Sequence, residues 1–252
     1  MEKIRGIINK YETLSLEELS DARLMDRVDL KFVFSEKLLA KLLEKLENDY
    51  CLLLPNSKAI NHYRSLYFDS PDFTFYLKHH NRHNHRFKVR YRTYLESQKT
   101  FLEIKEKRKG RTRKIRIEVD KSKLLFDEKE KSFIDKKTPV SPDYLEPKLW
   151  NEYKRITLVS KDKKERVTLD FDLSFSWKDQ KIEKRGVVIA EIKQDNINRR
   201  SKAYRVLKDL GVRTYRVSKY CLGVLAIYSV NSPKQNRFKQ KLLKINKIEN
   251  AF

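Results

Sequence analysis

The sequence predicts an α+β domain: a closed antiparallel β-tunnel of about eight strands, with a polar lumen and helices packed outside. Two observations carry this. Segments with period-two alternation recur along most of the chain, while only a few segments have helical period. The polar faces of those strands also differ from an ordinary solvated face. Arg86, Lys88, Arg90 and Arg92 fill four successive positions on one side of a single strand. Like charges spaced about 7 Å apart along a strand face repel one another. Folding alone does not favour such a row; a polyanion lying on it does.

The elements follow in order. Ser15 and Glu18 form a capping-box pattern that predicts a short helix. Between residues 27 and 34, Val28, Leu30, Phe32 and Phe34 share one face and Arg27, Asp29 and Lys31 the other. Ser35 caps a helix striped by Leu38, Leu39, Leu42, Leu43 and Leu46. Strands are predicted at 50–54 and 62–69, then a turn at Asp69-Ser-Pro-Asp72 into a short helix. Three strands at 86–95, 100–107 and 112–119 come next, the last two joined by a hairpin around Lys109-Gly110. Residues 127–142 read as a polar loop insert. Further strands fall at 153–159, 166–175, 187–193 and 212–217. A helix over 201–210 stops at Gly211, and Ser218-Lys219 opens a closing apolar helix.

Length and charge bound the function. A chain of 252 residues holds one large domain, placed at 1–230, with a basic tail at 231–252 that is either a short surface helix or a disordered arm. Lys and Arg outnumber Asp and Glu by 58 to 35, giving a formal charge of +23 that attracts any polyanion. Charge alone does not choose among nucleic acid, anionic membrane, polyphosphate and nucleotides. Cys51 and Cys221 sit in apolar runs and read as free thiols of a reducing compartment. No CxxC or Cys/His spacing suggests zinc. The N-terminus lacks the apolar core of a signal peptide, and the apolar stretch 221–230 is too short to span a bilayer, so a cytoplasmic location is expected. A membrane contact is expected only through a partner protein or the basic tail. RRM, KH and helix-turn-helix signatures are missing, which argues against a nucleic-acid partner.

Two basic motifs take plainer readings. His79, His80, His83 and His85 lack ligand spacing and read as an exposed basic loop. The run KEKRKGRTRK (105–114) reads as a hairpin with inward cations at its base and solvated ones at its tip.

The polar strand faces are not uniformly basic. Asp29, Glu103, Glu118, Asp170, Asp172 and Glu191 stand among the cations. Cations suit nonbridging phosphate oxygens, and carboxylates suit a hard divalent ion, so a mixed lining fits a phosphate chain with a metal.

Taken together, RVDLKFVFS (27–35), RSLYFDSPDFTFY (64–76), KVRYRTY (88–94), FLEIKEK (101–107), YKRITLVS (153–160), RVTLDFDLSF (166–175), IAEIKQD (189–195) and RVSKY (216–220) resemble the VTC domain. That domain is the polyphosphate polymerase branch of the triphosphate tunnel metalloenzymes, related to CYTH domains. The resemblance covers about residues 23 to 228. It implies transfer of the terminal phosphoryl group of ATP, or another nucleoside triphosphate, onto polyphosphate, with Mn²⁺ or Mg²⁺. The family's basic positions map onto Lys31, Arg90, Arg92, Lys105, Arg155, Arg166, Lys193 and Lys219. Tyr153 and Ser218 match hydroxyls that meet phosphate, Lys114 matches a further cation, and Glu191 matches the metal-binding glutamate. Lys88 and Arg116 lie on the same polar faces and join the phosphate-binding candidates. The chain departs from CYTH relatives where Arg27, Asp29 and Lys31 replace two glutamates and a lysine, which favours the VTC branch. Unlike the family's membrane-complex members, these 252 residues are expected to hold neither a sensing domain nor membrane helices. Two rival functions remain open: hydrolysis of triphosphate or polyphosphate by water, and non-catalytic binding of a polyanion or nucleic acid.

Overall fold

Apolar and polar residues alternate along the strands because one sheet separates two environments. The computed structural model describes residues 1–19, 28–109, 111–120, 124–228 and 233–251. In chain order the elements begin with α1 (Glu2–Ile8), β1 (Thr13–Leu14), β2 (Val28–Ser35), α2 (Leu39–Leu46), β3 (Tyr50–Leu53), β4 (Asn61–Asp69) and α3 (Thr74–His80). They continue with β5 (Arg86–Tyr94), β6 (Lys99–Arg108), β7 (Arg111–Val119), α4 (Glu128–Asp135), β8 (Glu146–Ser160) and β9 (Glu165–Trp177). Last come β10 (Gln180–Lys184), β11 (Val187–Gln194), α5 (Lys202–Asp209), α6 (Lys219–Ile227) and α7 (Asn236–Asn250).

The main sheet runs β2-β11-β9-β8-β4-β5-β6-β7, and every pairing along it is antiparallel. It curls into a half-barrel with helices around it, the α+β tunnel architecture expected from the alternation. Among the described residues β2 and β7 share no ladder. The open side is spanned instead by side chains, with Lys105 Nζ of β6 lying 3.5 Å from Asp29 Oδ2 of β2.

The convex face is greasy and covered. Phe32, Phe34, Leu169, Phe171, Val188 and Ala190 pack beneath α1, α2 and α5. Leu39, Leu42, Leu43 and Leu46 of α2 have no exposure, and burying each contributes about 1.5–3 kcal/mol. Farther along, Leu66, Val89, Tyr91, Leu102 and Ile104 pack with Ile134 of α4.

The concave face is divided. One end is apolar: Val33, Leu149, Phe175, Val187 and Ile189 pack against α6. Gly223 lets that helix sit close, because a Cβ there would overlap Leu149 and Phe175. The other end carries the charged residues.

Most boundaries match the alternation within a residue or two, although β8 begins at Glu146, seven residues before the expected 153, and Gly211 takes the left-handed conformation (φ 74°) that ends α5. Several expectations change. The segment 127–142 holds a helix, α4, begun by a reciprocal Asp127–Glu130 capping box. Residues 212–217 form no strand; Thr214 makes a single bridge to Phe32, and Tyr215 N–H donates to Lys31 O at 2.6 Å. Helix α1 and the β9–β10 hairpin were not anticipated. The basic tail forms α7, whose Phe238 and Ile245 join the α6 core. Ser15 and Glu18 do exchange hydrogen bonds (2.7 and 3.2 Å), but the body of the expected helix lies outside the described residues. Arg27 and Gly110 also lie outside them.

Candidate phosphate channel

Register decides which side chains converge. Arg90 stands opposite Glu103, and Glu103 opposite Arg116; Lys88 stands opposite Lys105, and Lys105 opposite Lys114. Across the other wall Lys31 faces Glu191, Lys193 lies between Asp29 and Arg166, and Arg155 faces Asp170. Since residues directly opposite share a face, strands far apart in sequence project one lining.

Four carboxylates stitch this lining together. Arg90 forks onto Glu103 through Nε (3.0 Å) and Nη2 (2.7 Å), and Lys114 Nζ reaches the other Glu103 oxygen at 3.0 Å. Arg155 Nη2 donates to Asp170 at 2.7 Å, and Lys219 also bonds Asp170. Lys31 and Lys193 each lie 3.6 Å from Glu191. Lys105 reaches Asp29.

Burial works against the charged form of Glu103, yet Arg92, Arg90 and Lys114 hold its carboxyl well below the usual range. The same contest ends the same way at Asp170, through Arg155 and Lys219, and at Glu191, through Lys193, Lys31, Lys105 and Arg155. These carboxylates therefore stay ionised at neutral pH.

Cations still dominate. Among the described residues Lys31, Lys88, Arg90, Arg92, Lys105, Lys114, Arg155, Arg166, Lys193 and Lys219 share the lining with Asp29, Glu103, Asp170 and Glu191. Lys88 feels the excess most clearly. Burial, with the nearby charges of Lys31, Lys105 and Arg90, pushes it down to about 7. Its Nζ donates to Ser218 Oγ at 2.8 Å, and Ser218 also caps α6 by accepting from Cys221 N–H. Lys114 is pushed down to about 8 by burial despite Glu103.

Hydroxyls complete the wall. Tyr153 stacks on Tyr63 with centroids 5.3 Å apart, and Lys219 Nζ sits 4.6 Å from its ring centre. The Tyr153 hydroxyl is buried and has no hydrogen-bond partner among the described residues.

The structure thus brings together Lys31, Lys88, Arg90, Arg92, Lys105, Lys114, Tyr153, Arg155, Arg166, Glu191, Lys193, Ser218 and Lys219. Arg116 shares their face but lies at the exposed edge strand, over Phe101 (4.3 Å) and against Tyr94 OH (3.3 Å). Two carboxylates expected in the lining lie elsewhere. Glu118 is exposed beside Lys99. Asp172 pairs with Lys154 outside, because β9 is irregular there and Asp172 adopts φ 50°, which breaks the alternation. The histidines also divide. His80 is buried, and His79 Nδ1 lies 3.3 Å from Cys221 Sγ, where burial pushes its imidazole well down.

Tyr63, Ser65 and Tyr67 of β4 were not singled out from sequence. Aromatic residues read as core, and theirs is half true: the rings pack while Tyr67 OH and Ser65 Oγ meet Arg90 and Arg92. The signal was there in the N-x-Y-x-S-x-Y alternation at 61–67.

Among the described residues no three His, Cys, Asp or Glu side chains cluster as a metal-binding group. A hard ion such as Mg²⁺ needs fewer, since it binds through one or two carboxylates plus substrate phosphates and water. Glu191, held ionised by the surrounding cations, is chemically suited to that part.

No curated protein matches the chain. Among solved structures, a putative adenylyl cyclase from Hippeastrum, described as having a dominant triphosphatase activity, superposes with a TM-score of 0.52 at 12% identity, covering 80% of this chain and 96% of that one. A putative adenylate cyclase from Bacillus halodurans gives 0.50 at 13% identity, covering 85% and 98%. At such identity the likeness is one of fold: the same curled sheet. Sequence and lining narrow it further, for the VTC domain matches residues 26–228, the whole span from β2 to α6 that builds the channel, and the chain belongs to the VTC domain family.

Proposed function

We propose that this channel binds the phosphates of ATP, or another nucleoside triphosphate, and passes the terminal phosphoryl group to a polyphosphate chain: a terminal phosphate oxygen of the chain bonds to the γ-phosphorus, the bond from that phosphorus to the bridging oxygen breaks, and the nucleoside diphosphate leaves with the electron pair. The excess of cations over carboxylates inside a walled channel is the observation that carries the reading. A chain of phosphates is the ligand that neutralises it.

Phosphoryl transfer needs position and charge neutralisation more than covalent help. Arg92 and Arg166 offer planar forks to nonbridging oxygens, Arg155, already forked onto Asp170, offers its remaining Nη1 side, and Lys31, Lys88, Lys105, Lys193 and Lys219 add point charges. Arg90 is already forked onto Glu103, so its share is to hold the β5–β6 wall and to offer its remaining Nη1 side. Glu191 would hold a bound Mn²⁺ or Mg²⁺ against the phosphates. That ion would supply Lewis-acid neutralisation of charge on the phosphate oxygens.

One feature favours a phosphate acceptor over water. Glu103, Asp170 and Glu191 are held below the usual carboxylate range, and so are poor bases for deprotonating water. A polyphosphate terminus is already ionised at neutral pH and needs no base.

The test is direct. Purified protein is incubated with ATP and Mn²⁺ or Mg²⁺, and products are resolved by size. A lengthening polyphosphate ladder supports the reading. Free phosphate without a ladder assigns the channel to hydrolysis, and salt-sensitive polyanion binding without ATP turnover assigns it to a non-catalytic role.

A further inference from the structure

Tyr67 falls in the 64–76 stretch but the sequence assigns it no role, yet its hydroxyl meets Arg90 of the basic wall. It is 3% exposed, and its ring stacks on Tyr220 of α6 at a centroid distance of 5.0 Å. Tyr220 is in turn anchored by a hydrogen bond to the buried Asp69, which also accepts the N–H groups of Ser70, Phe75 and Tyr76. The ring of Tyr67 is thus clamped between β4 and α6. Its hydroxyl oxygen accepts from Arg90 Nη1 at 2.8 Å. A phenol has one proton to donate, and a guanidinium cannot accept it. Among the described residues no acceptor takes the Tyr67 proton. Leaving a buried donor unsatisfied costs about 1–3 kcal/mol, so an orphan donor needs a reason.

We propose that Tyr67 is a further substrate-contacting residue: its hydroxyl, fixed by Arg90 and Tyr220, donates a hydrogen bond to a phosphate oxygen of the bound chain. This rests on the phosphate-channel reading. The charges around the phenol agree with it. Arg90 and Arg92 face it from β5, Lys219 from α6 and Lys31 from β2; Glu103 of β6 reaches it only through Arg90, and Leu149 opposite on β8 is apolar. Burial opposes ionisation, but Arg90, Arg92 and Lys219 outweigh it and lower the phenol below its ordinary range. A phenol acidified in this way is a strengthened donor toward an anion. A bound polyanion, by offsetting those cations, drives its titration back up.

The experiment compares wild type with Tyr67→Phe, which keeps the ring and its stacking, in metal-free buffer. Inorganic triphosphate is the probe. Calorimetry reads affinity, and near-ultraviolet absorbance reads tyrosinate formation across alkaline pH. Removing one charge-assisted hydrogen bond to the ligand is expected to weaken binding about tenfold or more, with only a small drop in melting temperature from the lost Arg90–Tyr67 bond. In wild type, triphosphate is expected to shift the first tyrosinate transition to higher pH; Tyr67→Phe is expected to lack that transition. Equal affinity of the two proteins, or a first transition that survives in Tyr67→Phe, overturns the proposal. If wild type itself fails to bind triphosphate, the channel reading falls, and this inference with it.

Discussion

Lys88 gives the channel a pH signature that can be worked out in advance. Its ammonium is pushed down to about 7 in the free protein, chiefly by burial and then by Lys31, Lys105 and Arg90. A phosphate chain supplies the negative charge it lacks, so the bound state holds it protonated. The sign follows. Below about pH 7 Lys88 is already charged and binding takes up no proton there. Above that value the free protein must first be protonated, and the affinity contributed by this group falls about tenfold, or 1.36 kcal/mol, per pH unit. Lys88→Met removes the contact at every pH. At about pH 6 the substitution is expected to weaken triphosphate binding by roughly ten- to a hundredfold, as for one charge-assisted contact. By about pH 9 the wild type has lost about 2.7 kcal/mol of that advantage to protonation, and the two proteins converge. Lys114, pushed down to about 8, and the ligand's own ionisation act equally in both proteins and cancel in the ratio. The assay is titration calorimetry in two buffers of different ionisation enthalpy, which also counts protons taken up. Parallel affinity–pH curves for wild type and Lys88→Met would refute the reasoning.

Other perturbations test other parts. Arg92→Ala, in a protein shown to be folded, is expected to lower activity ten- to a hundredfold or more, because Arg92 lies within the lining with Ser65 as its close side-chain partner (3.3 Å). Glu191→Gln is expected to shift the metal titration of activity to higher concentration; an unchanged titration removes Glu191 from any metal role. Gly223→Val is expected to lower the melting temperature and activity together, since the added atoms collide with Leu149 and Phe175 and lever Ser218 and Lys219 out of the wall. Raising salt is expected to weaken triphosphate binding less steeply than it weakens any polyanion binding to the exposed basic tip at Arg108, Arg111 and Arg113, because walled charges are screened less.

How far the sequence reached depends on what kind of information each feature needs. Strand faces are local: period-two alternation placed Lys88, Arg90 and Arg92 on one side of β5, and it put Asp29 with Lys31 and Glu191 with Lys193 before any coordinates. Pairing is not local. That Lys31 would meet Glu191 across β2 and β11, 160 positions away in sequence, follows only from strand order. Asp172 failed because one left-handed residue reverses the alternation beyond it, and nothing in its neighbours announces that. Helix α4 has a local signal that competes with the segment's polarity: Asp127 and Glu130 stand at capping-box spacing, and the box wins. Residues 212–217 failed in the opposite direction. Their alternation is genuine, but the segment crosses the edge of β2 with one bridge at Thr214 instead of extending the sheet. Tyr67 was hidden by its type, since a ring that packs and a hydroxyl that binds look identical in sequence.

The carboxylates explain how so basic a wall holds together. Cations spaced a few ångströms apart in a partly buried wall repel strongly, and a wall built of them alone would tend to splay. Each of Glu103, Asp170 and Glu191 instead sits between two cations from different strands or from a helix: Arg90 with Lys114, Arg155 with Lys219, Lys31 with Lys193. The carboxylates thus supply, in part, the negative charge that the proposed phosphate ligand would add. They also pre-position the cations, so less side-chain entropy is lost when a ligand arrives. This arrangement makes Glu103 and Asp170 more important to the fold than to the chemistry. Glu103→Gln keeps the shape but leaves Arg90 and Lys114 without their anion, and removing one partner of a buried pair costs about 3–5 kcal/mol. The substitution is therefore expected to lower the melting temperature of the free protein. Saturating triphosphate is expected to restore much of that loss, because the ligand supplies the missing charge. A Glu103→Gln protein as stable as wild type without ligand would mean that the basic wall does not need its carboxylates to hold together.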